Sequence, residues 1–123
     1  YDSEFPEATR VLADAGIDLL FVPYCTDDRQ AYARVRYCAH ARAIENQAFV
    51  VAANQFGTAE PHFDSWGHSM IVDPWGRVLA DAGDAEGYAI ADLDFAERDR
   101  ILGSLPAIHN RRPDVFRDGK GAA

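Results

Sequence analysis

The run Asp18-Leu19-Leu20-Phe21-Val22-Pro23 decides the fold class. It is short, continuous in its apolar residues and bounded by turn formers, which is the pattern of a strand buried on both faces. Upstream of it, Ser3 to Ala15 reads as a helix. Ser3 is placed to cap that helix, Glu4 and Glu7 sit where the helix dipole favours carboxylates, Pro6 is tolerated in the first turn and Gly16 closes it. Downstream, Tyr24 to Arg29 is a polar loop, and Gln30 to Asn46 has the length and the alanine and arginine content of a long helix. Ala48 to Asn54, carrying Phe49-Val50-Val51, is the next buried strand. Helix, strand, helix, strand in that order predicts an α/β layer.

The second half of the chain changes character. Gln55 to Trp66, with Gly57 and Pro61, reads as a long irregular loop, and loops of that length in compact domains are often functional. His68 to Asp73 and Arg77 to Asp81 form two strands around Pro74-Trp75-Gly76, where proline presets the first corner and glycine supplies a positive φ, so a β-hairpin is predicted. Gly87 to Leu93 alternates well enough for another strand, Phe95 to Leu102 for a short helix, and residues 105–123 form a tail. The result is a mixed sheet with helices packed on it. Five strands and three helices cannot enclose a buried sheet on all sides, so another segment or chain is expected to cover what they leave open.

Composition narrows the function classes. The chain has 123 residues, 48% of them hydrophobic and 26% charged, the proportions of an ordinary globular domain. A formal net charge of −8 disfavours non-specific binding to nucleic acid or to an anionic membrane surface, although Arg111-Arg112 is a local basic site. No apolar run is long enough to span a bilayer and no charged-then-apolar leader is seen, so the cytoplasm is the expected compartment. Cys25 and Cys38 are too few for a disulfide scaffold and lack metal-ligand spacing, and both read as thiols in a reducing compartment. The chain opens on Tyr1 rather than Met, as a fragment or a processed chain does.

Four stretches, in order and at matching spacings, carry a resemblance. Tyr1, Asp2, Phe5, Pro6 and Glu7 match the signature in which a nucleophilic cysteine at a strand end is followed by Tyr-Asp, two variable residues, an aromatic residue, Pro and Glu. Arg42-Ala43-Ile44-Glu45-Asn46 with Phe49-Val50-Val51-Ala52-Ala53-Asn54 resembles a helix-to-strand segment of the same family. Ser69-Met70-Ile71-Val72-Asp73-Pro74-Trp75-Gly76 resembles its hairpin, and Arg111-Arg112-Pro113-Asp114-Val115-Phe116 its closing motif. The family is the nitrilase superfamily of carbon-nitrogen hydrolases, and the resemblance places residues 1–123 in the C-terminal portion of one such domain, starting just after the cysteine. Val22 to Arg29 and Arg34 to Ala39 look most like a branch fused to an acetyltransferase domain.

The resemblance implies a four-layer αββα sandwich of which this chain supplies about half. It implies a reaction in which a cysteine thiolate attacks the carbon of an amide, carbamoyl or nitrile group, a glutamate moves protons and a lysine stabilises the charged intermediate. Those three residues belong upstream, so the chain alone is expected to be inactive, with the N-terminal half of the domain as its partner. A homo-oligomer is implied through the helical face and the 105–123 tail. No metal or organic cofactor is implied, because the thiol supplies the nucleophile.

Within the chain, the Tyr1 backbone N–H stands at a turn entering a helix and is a natural oxyanion donor. Asp2, Ser3, Glu4, Cys25, Thr26 and Asn54 are the candidate pocket residues. Many relatives carry arginine where Glu4 stands, positioned to meet a substrate carboxylate, so Glu4 points to a neutral or cationic substrate; an exposed carboxylate supporting the helix N-terminus is the plainer account. Cys25 with His40, His62, His68 or His109 formally allows a Cys/His hydrolase, but no local signature supports it, and a small pocket-lining or buried thiol is the blander reading. Arg42 and Glu45, three apart on one helical face, read as a structural pair, in the core or at a subunit contact. His68 reads as a satisfied surface or core histidine, and His109 with Arg111-Arg112 as a solvated basic patch. The rival to a hydrolase is a non-catalytic interaction module that kept the scaffold and lost the site.

Overall fold

A computed structural model describes residues 1–60 and 63–117. The chain begins with a 3-10 turn over Asp2–Glu4, then α1 (Pro6–Asp14), β1 (Leu19–Tyr24), α2 (Arg29–Asn46) and β2 (Phe49–Asn54). Strands β3 (Phe56–Glu60), β4 (Phe63–Trp66), β5 (Met70–Val72) and β6 (Val78–Asp81) follow, with helices α3 (Phe95–Ser104) and α4 (Pro113–Arg117) last. The main sheet has the order β1-β2-β5-β6, its first pair parallel and the others antiparallel. This is the predicted mixed α/β layer.

Pairing Leu20 with Val50 and Val50 with Val72 puts one row of side chains on the face that α2 covers, and Val22, Ala52 and Met70 form the next row. These residues close on Ala39 and Ala43 of α2 as one buried core. Alanine at those two helix positions lets the backbone of α2 lie close to the sheet, which is why both are fully buried. The opposite face carries the row Phe21, Val51, Ile71, Ala80. Phe21 is 67% exposed there, while Val51, Ile71 and Ala80 are half-buried, so this face is only partly covered among the described residues.

Four expectations need correction. The helix does not run from Ser3, and Ser3 caps nothing: Pro6 forces Phe5 into an extended conformation (φ −101, ψ 125), so Asp2–Glu4 close as a separate 3-10 turn and α1 starts at Pro6. Gly16 ends α1 as expected, at φ +87. Residues 55–66 are not an irregular loop but hold the antiparallel β3–β4 hairpin, with Phe56 opposite Trp66 and Gly57 opposite Ser65; Pro61 and His62 lie outside the described residues. The strand predicted from His68 is confined to Met70–Val72 because Gly67 and His68 both take left-handed backbones, at φ +67 and +56. Gly87 to Leu93 is not a strand. Its alternation survives as exposed Tyr88 and Ile90 against half-buried Ala89 and Ala91, but among the described residues it has no ladder partner.

The Asp73 carboxylate shapes the predicted hairpin turn: it accepts from the N–H groups of Trp75 (3.0 Å) and Arg77 (2.8 Å) and pairs with the Arg77 guanidinium, while Gly76 turns at φ +79. Helix α3 is tied to the start of β1 and β2 by Arg98, which donates to the carbonyls of Gln47 (2.8 Å) and Ile17 (3.1 Å) and pairs with Asp18. The tail folds back on the same region. Gln47, in a left-handed cap after α2, donates to the Leu105 carbonyl and accepts from the Ile108 N–H, and Arg111 pairs with Asp14.

Candidate functional site

In a parallel α/β pair, chemistry gathers where the strands end and their loops leave the sheet. Here β1 ends at Tyr24 directly beside Asn54 at the end of β2. The loop after β1 therefore brings Cys25 and Thr26 against Asn54 and Gln55, and the structure does bring these candidates together. Asn54 is the clasp: its Oδ1 accepts from the Thr26 N–H (3.3 Å), and its Nδ2 donates to the Thr26 hydroxyl (3.0 Å) and to the Gly67 carbonyl (2.7 Å). Its backbone N–H donates to Ser69 Oγ, which in turn donates to the Asn54 carbonyl. Thr26 is buried and its carbonyl receives the Trp66 N–H. One side chain thus fastens the β1 loop, the end of β2 and the base of the β3–β4 hairpin.

The Cys25 thiol is free and solvent-facing. It donates to Gln55 Oε1 at 3.3 Å and lies 3.5 Å from Ser65 Oγ. Among the described residues no histidine ring is hydrogen-bonded to it: His40 Nδ1 donates to the Gly76 carbonyl, and His68 Nδ1 to Asp81, while His62 lies outside the described residues. Ser65 was not visible as a site neighbour in the sequence, because only the β3–β4 pairing carries it across to Cys25.

Beside this clasp lies an open cleft of about 450 Å³ lined by Asn54, Phe56, His68, Ser69 and the backbone around Gly83 and Gly87. His68 forms one wall, its ring 4.9 Å from that of Tyr32. Behind it, Asp81 receives Arg36 at 2.7 Å, His68 at 3.3 Å and the Gly83 N–H at 2.9 Å. Burial pushes the Asp81 carboxyl up, but these donors outweigh it and hold the group below the usual carboxylate range. Burial likewise works against the Arg36 charge, and Asp81 and Tyr32 more than restore it. The Tyr24 phenol is raised to about 12, chiefly by burial.

The amino-terminal turn forms a second cluster. Tyr1, Asp2 and Ser3 line a cleft of about 250 Å³ with Leu20, Phe21, Val22 and Pro23, along the unpaired side of β1. Glu4 faces the other way, its carboxylate 2.5 Å from Arg34 Nε and only 12% exposed. Arg42 is buried and binds Glu45 Oε1 at 2.6 Å, and it also donates from Nε to the Ser3 carbonyl and from Nη2 to the Glu4 carbonyl, both at 3.0 Å. Those two backbone contacts were missed by the reading of Arg42 and Glu45 as a pair alone. Among the described residues no three His, Cys, Asp or Glu side chains converge as a metal ion would require.

Comparison with known proteins fits this arrangement. Residues 1–101 match the family model for carbon-nitrogen hydrolases. Human deaminated glutathione amidase is 39% identical over 116 residues, covering 94% of this chain and 36% of that protein. The crystal structure of the C. elegans NitFhit protein superposes with a TM-score of 0.87 at 37% identity, over 94% of this chain and 28% of its own. An amidase from Nesterenkonia sp. AN1, solved as a variant with the acetamide moiety of fluoroacetamide on its active-site cysteine, gives 0.78 at 30% identity, over 96% and 41%. The chain therefore spans well under half the length of these relatives, and their shared fold is that of the nitrilase superfamily. With a family model matched over most of its length and a solved relative superposing on nearly all of it, the chain belongs to the carbon-nitrogen hydrolase family.

Proposed function

We propose that this chain is the C-terminal portion of a hydrolase domain that cleaves a non-peptide amide-type C–N bond through a thioester, with the nucleophilic cysteine directly before Tyr1 and a glutamate and a lysine further upstream. The observation that carries the reading is the Tyr1–Glu4 turn. It packs along the open side of β1 and leads into the N-terminus of α1, so a strand running into Tyr1 would pair in parallel with β1 and deliver its last residue to the turn. Three surfaces left open among the described residues support the same view: the edge of β1, the face of the row Phe21, Val51, Ile71, Ala80 on which Phe21 is exposed, and the run from Gly87 to Leu93, which has no ladder partner there. A preceding half-domain would meet all three at once and complete the four layers.

In the proposed reaction the thiolate adds to the amide carbon and the carbonyl oxygen becomes an oxyanion facing the Tyr1 N–H and the lysine. The glutamic acid gives its proton to the leaving nitrogen as the C–N bond breaks, so ammonia or an amine departs and a thioester remains. Water, deprotonated by the glutamate, then cleaves the thioester and restores both groups. The substrate is a small neutral or cationic amide, since the arginines nearest the turn are engaged: Arg34 with Glu4, Arg10 with Glu45, and Arg42 with Glu45 and two carbonyls. Exposed Val11, Tyr37 and Ile44 on α1 and α2 support assembly into a homo-oligomer through the helical face.

The test uses the gene product that contains this chain. Ammonia release from small primary amides is expected, preferring an amino-alkyl amide over a dicarboxylic acid monoamide, and alanine in place of the residue before Tyr1 is expected to abolish it. A residue other than cysteine there, or hydrolysis that survives its removal, would refute the thioester mechanism. A folded but inactive protein would favour the non-catalytic module.

A further inference from the structure

We propose that Arg42 is a positioning residue for hydrolysis: its guanidinium sets the peptide planes of the Tyr1–Glu4 turn, from which the Tyr1 N–H meets the oxyanion. The proposal rests on the hydrolase reading above.

The turn has little to hold it in place by itself. It has four residues, weak 3-10 hydrogen-bond geometry and no side-chain cap. Its four carbonyls nevertheless all have donors. The Tyr1 carbonyl receives the Glu4 N–H at 3.0 Å and the Asp2 carbonyl the Phe5 N–H at 3.3 Å, which is as far as the turn's own bonds reach. The Ser3 carbonyl, left without its turn partner because Pro6 has no N–H, and the Glu4 carbonyl, left without one because Phe5 is extended, are both taken by Arg42. A planar fork donating from two of its nitrogens to successive carbonyls fixes their orientation as well as their distance, which a lysine ammonium does not do.

The guanidinium is itself fixed. Arg42 is 5% exposed, and burying its charge is tolerable only with partners on every side. Glu45 supplies the neutralising carboxylate at 2.6 Å and is steadied in turn by Arg10 at 3.5 Å. The contact continues along one stripe of α2: Arg34 holds the Glu4 carboxylate and the Cys38 thiol lies 4.0 Å from the Glu4 carbonyl. Positions 34, 38 and 42 recur every fourth residue, so one helical face is devoted to the turn. An ion pair that served only the core would not reach past Glu45 to two carbonyls beside the expected nucleophile.

The experiment compares Arg42→Lys with wild type in the full-length protein, measuring kcat and KM on a small amide and the rate at which iodoacetamide alkylates the nucleophile. Alkylation expels iodide without forming an oxyanion, so it reports the thiol alone. We expect kcat per alkylatable thiol to fall by about 10- to 100-fold with KM and the alkylation rate within about threefold of wild type. A role confined to stability would reduce the number of folded sites and leave kcat per site unchanged, and that result would overturn the proposal. Should Arg42→Lys not fold, Glu45→Gln decides: releasing the carboxylate that orients the guanidinium is expected to lower kcat by about three- to tenfold, and an unchanged kcat overturns the idea. Wild type lacking both hydrolysis and an alkylatable thiol before Tyr1 would remove the hydrolase reading and this proposal with it, whereas an active wild type with an unaffected variant removes this one alone.

Discussion

Replacing Asn54 with aspartate should produce a stability defect that grows with pH, whereas replacing it with alanine should produce one that does not. Alanine removes three hydrogen bonds and strands the buried Thr26 N–H and the Gly67 carbonyl. With net bonds worth about 1 kcal/mol each and a buried orphan costing about 1–3, the loss is about 3 kcal/mol. Aspartate has the same shape and still accepts from Thr26, but when ionised it turns a lone pair toward the Gly67 carbonyl in the place of a donor that now lies 2.7 Å away. The protonated carboxyl can donate there instead. Folding therefore favours the protonated form and raises the introduced group's pKa above its unfolded value of about 3.9. Its contribution is fully present below that value and is lost as pH rises through the folded pKa, by at most about 1.4 kcal/mol per pH unit. Urea unfolding of both variants between pH 5 and pH 8 reads the difference. The aspartate variant should match or exceed the alanine variant at the acid end and fall below it at the alkaline end. A constant gap across that range would show that Asn54 is not the clasp described.

Two glycines should respond differently to alanine. Gly67→Ala combines φ +67 with a Cβ 2.9 Å from the Gly83 carbonyl oxygen, a backbone atom that cannot step aside, and should cost about 2–3 kcal/mol by denaturant titration. Gly76→Ala places its Cβ 2.6 Å from the Cδ1 of Ile44, the mobile end of a half-exposed side chain, so mainly the φ penalty of about 1–2 kcal/mol should appear; equal losses would contradict the distinction. Burial holds the Tyr24 phenol up at about 12, above the ordinary tyrosine value, so its contribution to stability is intact below the unfolded value and disappears as pH climbs toward 12. Tyr24→Phe should flatten that alkaline limb in pH-dependent unfolding, and an unchanged limb would assign it to another group.

The parts of the fold that could be read from the sequence are those governed by apolar periodicity. Leu19 to Val22 and Phe49 to Val51 read as strands and are strands, parallel across the long helix between them, but β1 is buried on one face only among the described residues, with Phe21 exposed on the other. Each misreading has its own cause. Pro6 was judged by its tolerance in a first turn, while its effect on Phe5 decided where the helix began. Phe56–Glu60 and Phe63–Trp66 pair as strands although glycine and proline punctuate the stretch, and a bulge between Thr58 and Glu60 absorbs the irregularity. Gly87 to Leu93 has a strand's pattern without a strand's partner, because a pattern specifies which face is apolar and a ladder needs a neighbour.

The candidate site was legible in its membership and not in its wiring. The ends of β1 and β2 indicate that Cys25, Thr26 and Asn54 meet, since parallel strands in register must finish together. That Asn54 has every polar atom of its side chain engaged follows from a left-handed pair at Gly67-His68 that folds the chain back under it, and local sequence holds no trace of that contact. Arg42 shows the same limit from the other side. Its spacing from Glu45 suggests an i,i+3 pair, and the pair exists, but the guanidinium has more donors than one carboxylate can use. The surplus is what ties α2 to the turn beside the expected nucleophile.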